Sequence, residues 1–321
     1  MDLQILAEAF PPTPQWTAAD VPDTSGKVVA VTGGYGGIGY YTVKSLLEKN
    51  AKVYILGRNE ALFDSAVERL AAETPPVTAK PHFIHLDLSS LRSPLAAAKE
   101  LSAKEDKLHA LWCSAGVIVP PVGSKTDEGY ELQWHTNVMG HWQLVTALLP
   151  ILQKVAEQSE GREKARVVHT SSSGHRFAPS GGVDWESLKV GEDASVGNGL
   201  NKWALYGQSK LGNIIVANEL DRRYGNTIIS TSCNPGNLKT DLPRHLKQSF
   251  FVRMMSWVEP LVTYPASLGA LTQLYLGTAL DVEGGQYGIP WARIGEPRAD
   301  ARDEEVGRKV WEWLERECRV D

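Results

Sequence analysis

Short apolar runs alternate along the chain with stretches whose apolar positions recur at helical spacing. The runs at 27–32, 52–56, 82–86, 108–113, 166–170, 227–233 and 286–289 predict strands. Most are β-branched and continuously apolar, the pattern of parallel strands buried on both faces. Between them, 38–49, 61–72 and 205–224 carry helical periodicity. Strand and helix in alternation predict βαβ units and an α/β doubly wound parallel sheet with helices on both faces. Residues 1–26, rich in proline and acid, read as an N-terminal arm leading into one domain over 27–321. No repeat, low-complexity tract or linker divides the chain after residue 26.

Composition narrows the class of partner. The formal net charge of -5 over 321 residues leaves no basic footprint for nucleic acid. Cys113, Cys233 and Cys318 are too few and too scattered for a disulfide framework or a zinc site. The eight histidines, His169 and His175 included, have no ligand spacing, so no metal is expected. The N-terminus lacks the basic lead of a secretory signal, and no apolar run approaches the ~18 residues of a membrane span. The expected setting is cytoplasmic.

The run Thr32-Gly-Gly-Tyr-Gly-Gly-Ile-Gly39 sits between the first predicted strand and the first predicted helix. Gly33 permits the tight turn, and Gly37 and Gly39 let backbone amides and the helix N-terminus approach a pyrophosphate. With the next strand at 52–56, this context predicts a Rossmann-type dinucleotide site.

The spacing Thr-Gly-x-x-x-Gly-x-Gly occurs with LDLSS at 86–90, SAG at 114–116, Asn137, TSSSGH at 170–175, YGQSK at 206–210 and NPGNLKTDL at 234–242. In this order, over about 27–290, the motifs resemble the short-chain dehydrogenase/reductase family. The Gly57-Arg58-Asn59 run, SKLGN and the long serine-to-tyrosine loop resemble its retinol-dehydrogenase-like branch and the fungal relatives of that branch. After the second strand, Gly57 offers no carboxylate for the adenosine ribose, whereas Arg58 offers a forked cation suited to a 2′-phosphate. NADP (as NADPH) is therefore the expected cofactor. The resemblance implies that Asp87 and Leu88 border the adenine and that Ser114, Ala115 and Gly116 pass beneath its ribose. It implies further cofactor contacts at Tyr35, Ile38, Asn59, Pro235, Gly236, Leu238 and Thr240, with Asn137, Tyr206 and Lys210. Where the family usually carries asparagine, this chain has Cys113 and Ser114.

Tyr206 and Lys210, four apart, share one face of a helix. A phenol with a pKa near 10 is a poor proton donor-acceptor at neutral pH, and a neighbouring ammonium favours the phenolate. Three consecutive serines precede Gly174-His175; the resemblance selects Ser172, with Ser171 as the alternative. It also implies that Asn137 holds a water linking Lys210 to solvent and that Lys210 bonds the nicotinamide ribose. The expected activity is NADP(H)-dependent hydride transfer between the nicotinamide and the carbonyl or alcohol carbon of a lipophilic aldehyde or ketone. Tyr206 is the acid and Ser172 orients the oxygen. The substrate elements are a loop at 173–205 and a lid at about 241–262, apolar over 250–258. A homodimer is left open. The alternative is a catalytically silent NADP-binding sensor or partner-binding protein.

Overall fold

The computed structural model describes residues 7–192, 195–196, 199–238 and 263–320. The expected lid at 241–262 and Thr240 lie outside the described residues. Seven strands form within two residues of their predicted bounds: β1 (Val28–Thr32), β2 (Lys52–Gly57), β3 (His82–His85), β4 (Ala110–Cys113), β5 (Ala165–Thr170), β6 (Ile228–Cys233) and β7 (Tyr287–Ile289). All seven pair in parallel. An eighth, β8 (Arg293–Gly295), pairs antiparallel with β7 and is not among the predicted strands, because Arg-Ile-Gly presents no apolar run. The sheet order is β3-β2-β1-β4-β5-β6-β7-β8. Strand order therefore reverses between β1 and β4, and a crevice forms at their carboxyl ends.

Successive strand residues enter opposite cores, as the pleat requires. Val29 and Val31 of β1, with Val53 and Ile55 of β2, face one core. Ala30, Tyr54 and Leu56 face the other. The first core is covered by α1 (Gly37–Glu48), α2 (Glu60–Ala71) and a helix at Ala266–Thr278. The second is covered by α3 (Ser93–Lys104), α4 (Gly140–Gln158), α5 (Lys202–Tyr224) and a helix at Glu304–Glu317. The helices at Ala266–Thr278 and Glu304–Glu317 are α6 and α7. No helix among the described residues is long and apolar enough to cross a membrane.

Two segments are more tightly folded than their composition suggests. Before β1, Val21 joins the α1-side core, the Trp16 ring meets Tyr275 edge-on at 5.6 Å, and Thr24 N–H donates to Lys49 O at 2.7 Å. Within 173–205, 3₁₀ turns form at Ser173–Phe177 and Trp185–Leu188, and Lys189 bridges to Tyr130.

Trp112 of β4 is fully buried, and its indole N–H donates to Gln273 O at 2.7 Å. Trp112→Ala should cost about 3–5 kcal/mol, chiefly from the lost packing of a fully buried indole. Urea unfolding checks this: the midpoint should fall with an unchanged slope.

Candidate active site

The first turn of α1 lacks a side-chain cap, because Gly36 occupies the N-cap position. Gly33 has φ +66°, and a methyl group on it would lie 3.1 Å from the Ala115 Cβ, so the turns after β1 and β4 nearly touch. Above Gly36 and Gly37 the space is open. Uncapped helix amides beside open space fit the pyrophosphate of a dinucleotide. Ile38, at the helix start, converges with Leu238 on Gly269 of α6. Gly57 is pressed by Tyr35, whose ring would lie 2.3 Å from an added methyl, so a side chain at position 57 would have to displace that ring. Arg58 is exposed. Burial raises the Asp87 carboxyl, but hydrogen bonds from Ser89 and the nearby Arg58 charge outweigh it and hold it below its ordinary value. Asn59 turns its side chain to cap α2 through Leu62 N–H at 3.0 Å. The Leu88 carbonyl is engaged by His135 Nδ1 at 2.9 Å.

At the carboxyl ends of β4 and β5 the remaining predicted residues converge. A methyl on Gly116 would lie 2.8 Å from Asn137 Oδ1 and 3.6 Å from Lys210 Nζ. One on Gly174 would lie 2.8 Å from the Tyr206 ring and 3.4 Å from Ser172 Oγ. The Ser172 hydroxyl and the Tyr206 ring thus flank Gly174 from two sides. Ser171 faces away and donates to Lys210 O at 2.7 Å. Lys210 Nζ donates to Thr170 O at 3.0 Å and lies 5.9 Å from the centre of the Tyr206 ring.

Burial pushes the Tyr206 phenol above its ordinary value, and the neighbouring Ser172 hydroxyl opposes that shift. The downward shift expected from Lys210 is not seen. Burial instead pushes the Lys210 ammonium down to about 8. A desolvated site penalises both charged forms.

Asn137 lies in a π-turn, His135–Met139, that leads into α4. Its Oδ1 accepts from Val117 N at 2.9 Å, and its Nδ2 donates to Val117 O at 3.1 Å and Ser209 Oγ at 3.0 Å. Its side chain is thus committed to clamping the segment after β4 against α5.

Three supporting residues escaped the sequence reading. His175 Nε2 accepts from Arg298 N–H at 3.1 Å, so Nδ1 carries the proton and donates to Ser172 O at 2.7 Å. Burial pushes this imidazole down to about 4, and it stays neutral. His141 and Thr32 are linked at 2.9 Å. Gln273, fully buried, accepts at Oε1 from Ser114 Oγ at 2.8 Å and Thr170 Oγ1 at 3.1 Å, and its amide donates to Thr42 of α1. Only His175, beside the serines, carried a local signal. An open groove of about 520 Å³ at Asn218, Asp221 and Arg302 contains none of the predicted site residues.

Comparison with known proteins places this geometry in a family. Residues 27–187 match the family model described as short chain dehydrogenase. A short-chain dehydrogenase/reductase of Armillaria gallica is 43% identical over 98% of this chain and 97% of its own length. A crystal structure of an uncharacterized protein from Mycobacterium paratuberculosis superposes with a TM-score of 0.70 at 24% identity, covering 95% of this chain and 98% of that one. A short-chain dehydrogenase from Shigella flexneri, solved in complex with NADP, gives 0.60 at 20% identity over 84% of this chain and 98% of that one.

Lys210 makes a pH signature. Between about 8 and the ordinary 10.5, the unfolded chain holds a proton that the folded chain has released, so this group makes stability rise with pH. Lys210→Met should remove a slope worth on the order of 3 kcal/mol across that window. Urea unfolding of both proteins from pH 7 to 10.5 measures the difference; parallel curves would refute the assignment.

Proposed function

We propose, from the premise that the chain belongs to the short-chain dehydrogenase/reductase family and is an oxidoreductase, that it is NADP(H)-dependent and acts on lipophilic aldehydes, ketones or the matching alcohols. The observation that carries this reading is the convergence of Ser172, Tyr206, Lys210 and Asn137 on Gly116 and Gly174 beside the uncapped glycine turn. The NADP complex of the Shigella flexneri protein supports the choice of cofactor.

Gly33, Tyr35, Gly37, Ile38 and Gly39 would hold the pyrophosphate, Arg58 and Asn59 the 2′-phosphate, and Asp87, Leu88, Ser114, Ala115 and Gly116 the adenosine. Pro235, Gly236, Leu238 and Thr240 would complete the site. When bound, the cofactor supplies a hydride to a carbonyl carbon or accepts one from an alcohol carbon. Ser172 donates a hydrogen bond to the substrate oxygen and fixes its position. Tyr206 gives its phenolic proton to that oxygen, and Lys210 as ammonium offsets the phenolate left behind. Asn137 keeps Val117 and Ser209 in place beside Lys210.

Tyr206→Phe should lower turnover by on the order of 100- to 10,000-fold while NADPH still binds. NADPH consumption across a panel of apolar aldehydes and ketones provides the assay. A phenylalanine variant that keeps most of its activity rules out the mechanism, and a wild-type chain that binds NADPH but reduces nothing on the panel is the silent sensor instead. Arg58→Ala removes a charge-assisted contact of about 1.5–3 kcal/mol, so NADPH affinity should fall roughly 10- to 150-fold and NADH affinity should barely change. Equal losses for both cofactors in a titration would contradict the 2′-phosphate assignment.

A further inference from the structure

The segment before β1 brings a buried carboxylate to the edge of the site. Glu8 precedes the stretch that matches the family model, and its side chain is only 1% exposed. Its Oε1 accepts from Arg176 Nη2 at 3.1 Å and its Oε2 from Asn234 Nδ2 at 2.8 Å. A carboxylate is buried at such cost that it persists only where charged or amide donors replace its water. Arg293 Nη2 anchors the same segment by donating to Ala7 O at 2.9 Å.

Both donors belong to turns that the proposed reaction uses. Arg176 lies in the 3₁₀ turn Ser173–Phe177, whose N-cap is Ser172. Asn234 opens the Asn-Pro-Gly turn after β6, and its Oδ1 accepts from Gly236 N–H at 3.0 Å. Gly236 has φ +89°, and a methyl on it would lie 3.1 Å from Pro290 and Trp291. Tyr287 of β7, which pairs with Ser232, sets its hydroxyl 3.4 Å from His175 Nδ1. One carboxylate thus spans the serine turn and the turn proposed to border the cofactor. The serine turn is also held by the segment after β8, through Arg298 N–H to His175 and Arg176 Nη2 to Glu296 O, and the other turn by Gly288, whose carbonyl accepts from Asn234 N–H.

We propose that Glu8 is a positioning residue for the oxidoreductase site: it holds the Ser172–Phe177 turn and the Asn234–Gly236 turn in register. This inference rests on the function proposed above. A misplacement of about 1 Å at a reacting group can cost roughly 100-fold in rate, so the coupling is visible in kinetics as well as in stability.

Glu8→Ala and the nearly isosteric Glu8→Gln test it in the full chain. At 25 °C, well below the measured unfolding midpoint of each variant, Glu8→Ala should lower kcat for the best panel carbonyl roughly tenfold or more. It should also weaken NADPH binding several-fold by calorimetry and speed amide hydrogen exchange at both 173–177 and 234–238. Glu8→Gln, which keeps one acceptor oxygen, should fall between Glu8→Ala and wild type in all three. If Glu8→Ala fails to fold, Glu8→Gln carries the same readouts. A lowered midpoint with unchanged kcat, affinity and exchange would make Glu8 a structural anchor only and overturn the proposal. Exchange that changes at only one of the two turns also overturns it. The exchange and binding arms do not depend on turnover, so a wild-type chain inactive on every carbonyl refutes the oxidoreductase reading while these arms still decide whether Glu8 couples the turns.

Discussion

Buried hydrogen-bonding groups at the point where strand order reverses must find partners inside the protein, and the Thr32 hydroxyl meets most of that demand. Its oxygen accepts from Ser114 N–H at 2.8 Å and Ala115 N–H at 2.9 Å, which closes the turn after β4 onto the end of β1. With both lone pairs occupied, its one proton goes to His141 Nε2. The His141 proton therefore sits on Nδ1 and donates to Asn137 O at 3.0 Å. Burial pushes this imidazole down to about 4, so the arrangement holds in its neutral form. Each group orphaned at such a depth costs about 1–3 kcal/mol, enough to decide which turn geometry survives. The glycine turn, the segment beneath the proposed ribose site and the π-turn that carries Asn137 are thereby locked to one another.

Gln273 extends the same logic across the sheet. Ser114 stands where the family usually carries asparagine, and its hydroxyl donates to Gln273. The amide comes instead from α6: one oxygen serves Ser114 and Thr170, and one nitrogen reaches α1 at Thr42. Thr170 in turn gives its carbonyl to Lys210 Nζ and to Asn213 Nδ2 at 2.9 Å. Helix α1 and Lys210 are therefore connected through Gln273, a residue distant in sequence from both.

The parts of this protein that were legible in the sequence are those set by local pattern. Apolar continuity located seven strands, and the glycine spacing located the turn at the end of β1. The i, i+4 relation put Tyr206 and Lys210 on one helical face, where the structure has them. What escaped depends on packing between distant residues. Nothing in His135–Met139 announces a π-turn, because its geometry follows from Asn137 reaching Val117 and from Gly140 packing so close to Leu88 that an added methyl would lie 2.5 Å from its carbonyl oxygen. Gln273 and Glu8 look like ordinary polar residues until the fold buries them. β8 is too short to show a period, and it forms because β7 offers it an edge.

The electrostatics of Tyr206 and Lys210 also revise how the pair works in the proposed reaction. Spacing alone suggested an ammonium that draws the phenol toward ionisation. Burial acts on both groups in the opposite sense: it keeps the phenol protonated and eases the proton off the lysine. A protonated phenol is the form needed to donate to a carbonyl oxygen. The cost falls on the phenolate produced, which has little water to stabilise it. With Lys210 at about 8, most chains at pH 7 still hold the ammonium, so its charge is available when the phenolate forms. The Ser172 hydroxyl favours the phenolate as well. Desolvation therefore sets the resting state toward proton donation, and the two neighbours act chiefly on the ionised state that follows.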